Sequence, residues 1–387
     1  FNSGVNNLGV GNTSISSQGI TVASSTNSII YFADGTSGAE AFAGSIIYNH
    51  ADSGGNNMTF RTNGFNSALV ISSNQSVSTP TAGTSNLRLG VNAGDAIVSG
   101  GNYNVLIGDE AGTALDSGDN NVAVGFEALN AEDDHGYNTA IGYRALKVLD
   151  AGTNGYNTVV GADAGITMST GNSNTLLGAE AGNKIQNGVR NVAVGNAAGY
   201  TNISGDDNTH VGFGAGFLST GGLNTFVGAR NGTHGCGQLM LGGNKNTILG
   251  AFDGNQGGLD IRELHNNIVI ADGDGTPRAY YDGGATNPNW VFQTPTASQY
   301  AARIINTNSS TPNGLLVNHS ANASDNNGTN FLVCADNSAN RMIVTNQGDL
   351  QNHDNSYGAI SDVKLKDQIA DASSQWQDIK DLTIRKY

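Results

Sequence analysis

A five-residue phrase returns at nearly constant intervals through the middle of this chain: Asn, a β-former, a variable residue, an aliphatic, then Gly. It reads Asn104-Val-Leu-Ile-Gly108, Asn121-Val-Ala-Val-Gly125, Asn138-Thr-Ala-Ile-Gly142 and Asn157-Thr-Val-Val-Gly161. It continues as Asn174-Thr-Leu-Leu-Gly178, Asn191-Val-Ala-Val-Gly195, Asn208-Thr-His-Val-Gly212 and Asn224-Thr-Phe-Val-Gly228. Looser copies at Asn86-Leu-Arg-Leu-Gly90 and Asn246-Thr-Ile-Leu-Gly250 bracket the array, and successive Asn residues are mostly 17 apart. Self-similarity at a short fixed period marks a solenoid, in which each repeat forms one coil stacked on the next.

Strand geometry turns the phrase into expectations. Side chains alternate faces, so the second and fourth residues, such as Val105 and Ile107 or Val192 and Val194, point one way and stack as a narrow core. The third residue then points away from the coil, yet it is often apolar, as at Leu106, Val159, Leu176 and Phe226. Both faces therefore need cover, and two sister chains about a threefold axis would cover the second one. Rungs about 4.8 Å apart let equivalent Asn side chains form an amide ladder. The closing Gly permits a sharp corner, and the Ala three residues later (Ala111, Ala128, Ala145, Ala164, Ala181, Ala198) marks a close approach of another backbone.

Composition narrows the alternatives. Gly contributes 55 of 387 residues while Pro contributes 5, with no three-residue Gly period, so collagen is excluded. Recurrent Val, Ile and Leu exclude a disordered chain. The net charge of −15 disfavours nucleic acid or an anionic membrane surface as partner, and no run of 18 apolar residues reads as a membrane-spanning helix. Cys236 and Cys334 show no metal-ligand spacing and read as buried, reduced thiols. The chain opens Phe1-Asn2-Ser3, which reads as a fragment of a longer polypeptide.

The repeat resembles the left-handed parallel β-roll in the head domains of trimeric autotransporter adhesins, and similar arrays occur in phage tail fibres. The flanks favour phage. Residues 29–71, with Ile29-Ile-Tyr-Phe-Ala-Asp-Gly35 and Ala43-Gly-Ser-Ile-Ile-Tyr-Asn-His50, resemble a β-rich segment of phage tail proteins, and the Ala-Asp-Gly phrase returns in residues 268–275. Near the end, Asn355-Ser-Tyr-Gly-Ala-Ile-Ser361-Asp-Val-Lys-Leu-Lys366 resembles the entry to the self-cleaving intramolecular chaperone of tail spikes and tail fibres. That resemblance implies Ser361 as nucleophile, Lys366 as general base, and scission of the Ile360–Ser361 bond. Read without it, Ser361-Asp362 is an ordinary helix N-cap. Leu365, Ile369, Ala372, Trp376 and Ile379 then follow a heptad seam suited to a trimeric bundle, although the chain stops at Tyr387 before a full chaperone could be completed.

Four regions are expected: a β-rich segment over 1–85, the β-roll array over 86–250, a second β-rich segment over 251–360, and a truncated helical chaperone start over 361–387. The fold class is all-β, a homotrimeric fibre with a parallel β-solenoid and a short C-terminal helix. The function expected is a structural, receptor-binding tail fibre in the virion, made in the host cytoplasm. Its partners would be a host-surface glycan or protein and other tail proteins, with no cofactor and no metal. A polysaccharide-degrading tail spike and a bacterial trimeric adhesin remain as alternatives. Candidate site residues are Ser361 and Lys366 and the ladder Asn104, Asn121, Asn138, Asn157, Asn174, Asn191, Asn208 and Asn224. Glu110, Glu127 and Glu180 share one phase of the repeat with Arg144, Asp163 and Arg230, which reads as a mixed-sign surface ladder rather than a glycosidase pair. The loop Glu132-Asp133-Asp134-His135 reads as solvated and Asp272-Gly-Asp-Gly275 as a turn, while Phe126, Tyr143, Tyr200, Phe213 and Phe217 are candidates for glycan contact.

Overall fold

The ten copies of the phrase and one further segment fold into eleven parallel rungs of one sheet. A computed structural model describes residues 8–10, 20–22, 24–32, 43–50, 56–62, 66–74, 77–228, 232, 235–283, 289–294, 330–336, 338–345 and 349–353. They fall in two compact units, Phe1–Ala302 and Arg303–Tyr387. Among the described residues every regular element is a strand and none is a helix. The helix expected after Ser361 lies outside the described residues, as do Ser361, Lys366 and Arg230.

In the first unit β1 (Leu8–Val10) pairs antiparallel with β2 (Ile20–Val22). A five-stranded meander follows, made of β3 (Asn27–Phe32), β4 (Gly44–Asn49), β5 (Asn57–Thr62), β6 (Asn66–Ile71) and β7 (Val77–Ser78). The rungs are β8 (Leu87–Leu89), β9 (Val105–Ile107), β10 (Val122–Val124), β11 (Thr139–Ile141), β12 (Thr158–Val160) and β13 (Thr175–Leu177). They continue through β14 (Val192–Val194), β15 (Thr209–Val211), β16 (Thr225–Val227) and β17 (Thr247–Leu249). After a hairpin of β18 (Asn255–Gln256) and β19 (Leu259–Asp260), β20 (Ile268–Ala271) joins as the last parallel rung. The stack thus runs one rung past residue 250; that copy escapes the phrase because Ala271 stands where the others have Gly. In the second unit β23 (Asn330–Ala335), β24 (Asn340–Thr345) and β25 (Leu350–Asn352) form an antiparallel sheet.

Both ends of the stack are closed. At the first rung the Arg88 N–H donates to Thr79 Oγ1 at 2.9 Å, and that hydroxyl donates to the Asn86 carbonyl at 3.4 Å, so a side chain replaces the missing strand. At the other end β21 (Pro277–Tyr281) and β22 (Trp290–Phe292) add antiparallel to β20. An open parallel edge invites pairing with other chains, and these two devices remove it.

The facing of the strands is the reverse of the sequence expectation. The third residues are the core: Leu106, Ala123, Val159, Leu176, Phe226, Ile248 and Val269 are fully buried. The second and fourth residues face outward, with Ile141, Leu177, Val227, Leu249 and Ile270 each more than a third exposed. The cause is the Asn. Asn104, Asn121, Asn138, Asn174, Asn208, Asn224 and Asn246 are themselves fully buried, and alternation from a buried first position places the third inside and the second and fourth outside.

In several coils core volume is balanced between the third residue and the residue four after the Gly, whereas beside Ala193 and Gly199 the space is taken by His210 from the next coil. Leu106 pairs with Gly112 and Leu176 with Gly182, whereas Ala123 pairs with Leu129 and Ala140 with Leu146. A Cβ built on Gly112 or on Gly182 would meet the paired leucine at 2.9 Å. All four positions are left-handed, with φ of 57° and 58° at the glycines and 51° at both leucines, so the backbone accepts either residue. The Ala three after each Gly, from Ala93 to Ala215, is fully buried where the turn crosses the core.

Leu106→Ala is expected to lower stability by about 2–5 kcal/mol, the usual range for such a cavity. Adding Gly112→Leu should recover a large part of that loss, while Gly112→Leu alone overpacks and destabilises. Denaturant midpoints of the three variants measure the coupling, and additive effects would contradict the volume exchange.

Candidate functional site: the outer columns of the solenoid

The interior of the stack is tied by amides. Asn191 N–H donates to Asn174 Oδ1 at 2.9 Å, and Asn174 Nδ2 donates to the Gly188 carbonyl at 2.9 Å. The same pair of bonds recurs up the stack, for example Asn121 N–H to Asn104 Oδ1 at 2.8 Å with Asn104 Nδ2 to the Gly118 carbonyl at 2.8 Å. Asn138, Asn157, Asn208 and Asn224 likewise donate their N–H groups to the Asn one coil below, at 3.0, 3.3, 3.0 and 3.0 Å. The ladder is therefore mainly side chain to backbone. Direct amide-to-amide bonds join some rungs, as from Asn191 Nδ2 to Asn174 Oδ1 at 3.2 Å.

This bonding follows from backbone conformation. The residue before each Asn is left-handed, with φ of 60° at Tyr103, 64° at Tyr137, 50° at Tyr156 and 56° at Arg190. That twist turns the next N–H inward, out of reach of the sheet ladder, where only the Asn carbonyl oxygen of the coil below can satisfy it. It also throws the preceding side chain outward, leaving Tyr103, Tyr137 and Tyr156 about half exposed. A left-handed non-glycine residue often flags an active site. Here it recurs in every coil, so it belongs to the architecture.

The outer surface thus consists of columns one rung apart. On the sheet face, Val122 and Val124, Thr139 and Ile141, and Thr158 and Val160 lie in register, edged by Tyr137 and Tyr156 stacked at 5.1 Å. Beyond the Gly corner Phe126 stacks on Tyr143 at 5.7 Å, with the Arg144 guanidinium 4.7 Å from the Tyr143 ring. Tyr200 stacks on Phe217 at 4.8 Å, with Lys184 Nζ 5.3 Å from the Tyr200 ring. The column two after the Gly carries Glu110, Glu127, Arg144, Asp163 and Glu180, all left-handed. Within it Arg144 Nε bonds Asp163 at 2.8 Å, while Glu127 pairs at 2.6 Å with Lys147, which lies outside the column. The Asp163 hydrogen bond raises the Arg144 pKa.

Two readings change. Glu132 is not solvated: it is fully buried, in the column seven after the Gly that elsewhere holds Leu115, Leu149, Met168 and Ile185. Burial raises its pKa, against hydrogen bonds from His135. Its carboxylate accepts from His135 N–H and Nδ1 at 3.2 and 3.1 Å and from Ala151 N–H at 3.4 Å. Ligand-capable atoms of Glu132, Asp133, His135 and Asp150, three carboxylates and one imidazole, lie within 4.8 Å of one another. With its oxygens already held by the protein, Glu132 serves as an internal buttress between coils. Second, Cys334 is exposed on the edge strand β23, while Cys236 is buried and its thiol is pushed up to about 12 by desolvation. His210 takes a third position and is buried with the rest of that column. Asp272 does form a turn, accepting from Asp274 and Thr276 N–H at 3.1 and 3.0 Å.

His210 lies between Gly199 and Gly216, stacked on Phe226 at 5.1 Å, with Nε2 unbonded. The glycines make the space, since a Cβ on Gly216 would sit 2.7 Å from Nε2. No known protein family, curated protein or solved structure matches this chain.

Two predictions follow from these interior groups. Asn174→Ala strips the acceptor from Asn191 N–H and the donor from the Gly188 carbonyl, at a cost of about 2–5 kcal/mol in denaturant unfolding. An unchanged midpoint would sink the amide argument. Desolvation lowers the His210 pKa from 6.5 to about 4. The unfolded chain then takes up the proton first, so stability is intact above pH 6.5 and falls between 6.5 and 4. At about 1.4 kcal/mol per pH unit the loss approaches 3 kcal/mol. His210→Phe should remove that slope from the difference between the two unfolding-versus-pH curves.

Proposed function

We propose that this chain is one protomer of a homotrimeric phage tail fibre or tail spike that attaches the virion to its host surface. The observation that carries the reading is the outward face of the parallel sheet. Along it Leu89, Ile141, Leu177, Val227, Leu249 and Ile270 each present a third to a half of their surface to solvent. A contiguous apolar face of this extent marks an interaction surface. Its period is that of the coils, so the partner that matches it rung for rung is another copy of the same chain. Three copies about an axis would bury all three faces at once, leaving the aromatic and charged corner columns for the receptor.

The phage setting rests on the Ser361-Asp362 to Lys366 resemblance and on the Ala-Asp-Gly phrases. In that setting the chaperone assembles the trimer and leaves by scission before Ser361: Lys366 takes the hydroxyl proton as the Ser361 oxygen attacks the Ile360 carbonyl, the proton passes to the departing Ser361 nitrogen, and water hydrolyses the resulting ester. The fibre itself acts as a binding and load-bearing element.

Native mass spectrometry of the full chain tests assembly and processing together. The expected species is a trimer, with chains ending at Ile360 where scission has run and Ser361→Ala leaving them intact. The double variant Ile141→Asp, Leu177→Asp should yield monomers with an unchanged far-UV spectrum. A wild-type monomer at micromolar concentration would overturn the reading.

A further inference from the structure

The column two after the Gly holds a long charged or polar side chain on most coils, from Asn92 through Glu110, Glu127, Arg144 and Asp163 to Glu180. On the next two coils it shrinks to Ala197 and then Gly214. The backbone does not change with it: φ is 58° at Glu180, 53° at Ala197 and 61° at Gly214. A Cβ placed on Gly214 would meet nothing within 4 Å. The missing side chains leave a groove of about 310 Å³ lined from four successive coils and floored by Ala197 and Gly214.

The walls are chemically specific. Phe213, about half exposed, and Phe217, braced from behind by its stack on Tyr200, supply aromatic surface. Glu180 closes one end with a carboxylate. Asn196 donates its Nδ2 to the Ala179 carbonyl at 3.2 Å, which leaves Oδ1 as an acceptor on the groove. Gln238 spends Oε1 on Gly235 N–H at 2.8 Å, which leaves its NH2 as a donor there. An apolar wall with a few convergent donors and acceptors is the make-up of a small-ligand site, and this volume sits at the small end of the usual range of about 300–1,000 Å³.

We infer that this groove binds a neutral hexopyranose of a surface glycan, with the C–H face of the sugar on Phe213 and its hydroxyls on Glu180, Asn196 and Gln238. Sugar C–H groups carry the partial positive charge that the negative face of an aromatic ring attracts. Hydroxyls both donate and accept, which fits a mixed set of one amide donor and two oxygen acceptors. Glu180, the one ionisable side chain among the described residues that line the groove, disfavours an acidic sugar there. The inference rests on the attachment reading and adds to it a place and a ligand class.

Saturation-transfer NMR on the assembled full chain is the test, with the methyl glycosides of glucose, galactose and N-acetylglucosamine as millimolar probes. At least one probe should receive saturation at its ring protons. Gly214→Glu, which restores the side chain that neighbouring coils carry, should weaken that probe at least tenfold while the thermal midpoint stays within a few degrees. Phe213→Ala should weaken it similarly, and Phe126→Ala, on a different part of the column, should not. No transfer to any probe, or undiminished transfer to Gly214→Glu, overturns the proposal. A host-cell binding assay run in parallel separates the two readings. Chains that hold to cells without contacting any sugar overturn the groove alone, and chains that contact the sugar without holding to cells overturn the attachment reading alone.

Discussion

Each coil must bury backbone N–H groups that no strand neighbour reaches, and one amide side chain per coil solves the problem. Asn174 shows the device in full: its Oδ1 accepts from the backbone of Asn191 and its Nδ2 donates to the Gly188 carbonyl. A buried unsatisfied amide costs more than a typical hydrogen bond returns, so the Asn is selected by avoidance of a penalty. No other side chain of that length offers both an acceptor and a donor without charge. Asp would bring a charge into the core, Leu would bring neither group, and Gln would need a longer reach in a coil only one side chain deep.

The amide column fixes the phase of everything else. Once the first position is buried, the third fills the core and the second and fourth are committed to the outside. The core that results is narrow, and it is completed by exchange: where Ala123 and Ala140 leave space, Leu129 and Leu146 enter from the turn, and where Leu106 and Leu176 fill it, Gly112 and Gly182 stay clear. His210 and Phe226 extend the same logic to larger rings, with Gly216 and Gly237 giving way. Close packing is thus met by different residues supplying the same volume, from the same coil or, as His210 does beside Gly199, from the next.

The period, the parallel stacking and the all-β class were legible in the sequence because they depend on spacing. The facing was not. Apolar residues occupy the second, third and fourth positions alike, so hydrophobicity alone does not say which side is in; the decisive clue was the polar Asn, and a buried polar residue runs against the usual rule. The rung at Ile268–Ala271 was hidden because Ala replaces the Gly that punctuates the other copies. The acidic neighbours of Glu132 suggest a solvated loop, although its place in the repeat, in line with Leu115 and Leu149, marks it as internal. Counting residues from each Gly would have found it. The groove at Ala197 and Gly214 is a property of absent side chains, which a search for reactive residues passes over.

The division between inside and outside also explains where such a chain is free to vary. Backbone bonds hold the corner columns in place whatever side chain they carry: Glu127, Asp163 and Ala197 N–H all donate to the coil below, at 3.0, 2.8 and 2.9 Å. Left-handed φ there is imposed by those bonds and by the stack, so Glu, Arg, Asp, Ala and Gly all serve. A substitution in the Asn or third-position columns propagates through two coils, whereas one in the corner columns changes only what the surface offers. The groove at Ala197 and Gly214 follows this division, since two short side chains in a corner column open it while the amide ladder behind them is unchanged.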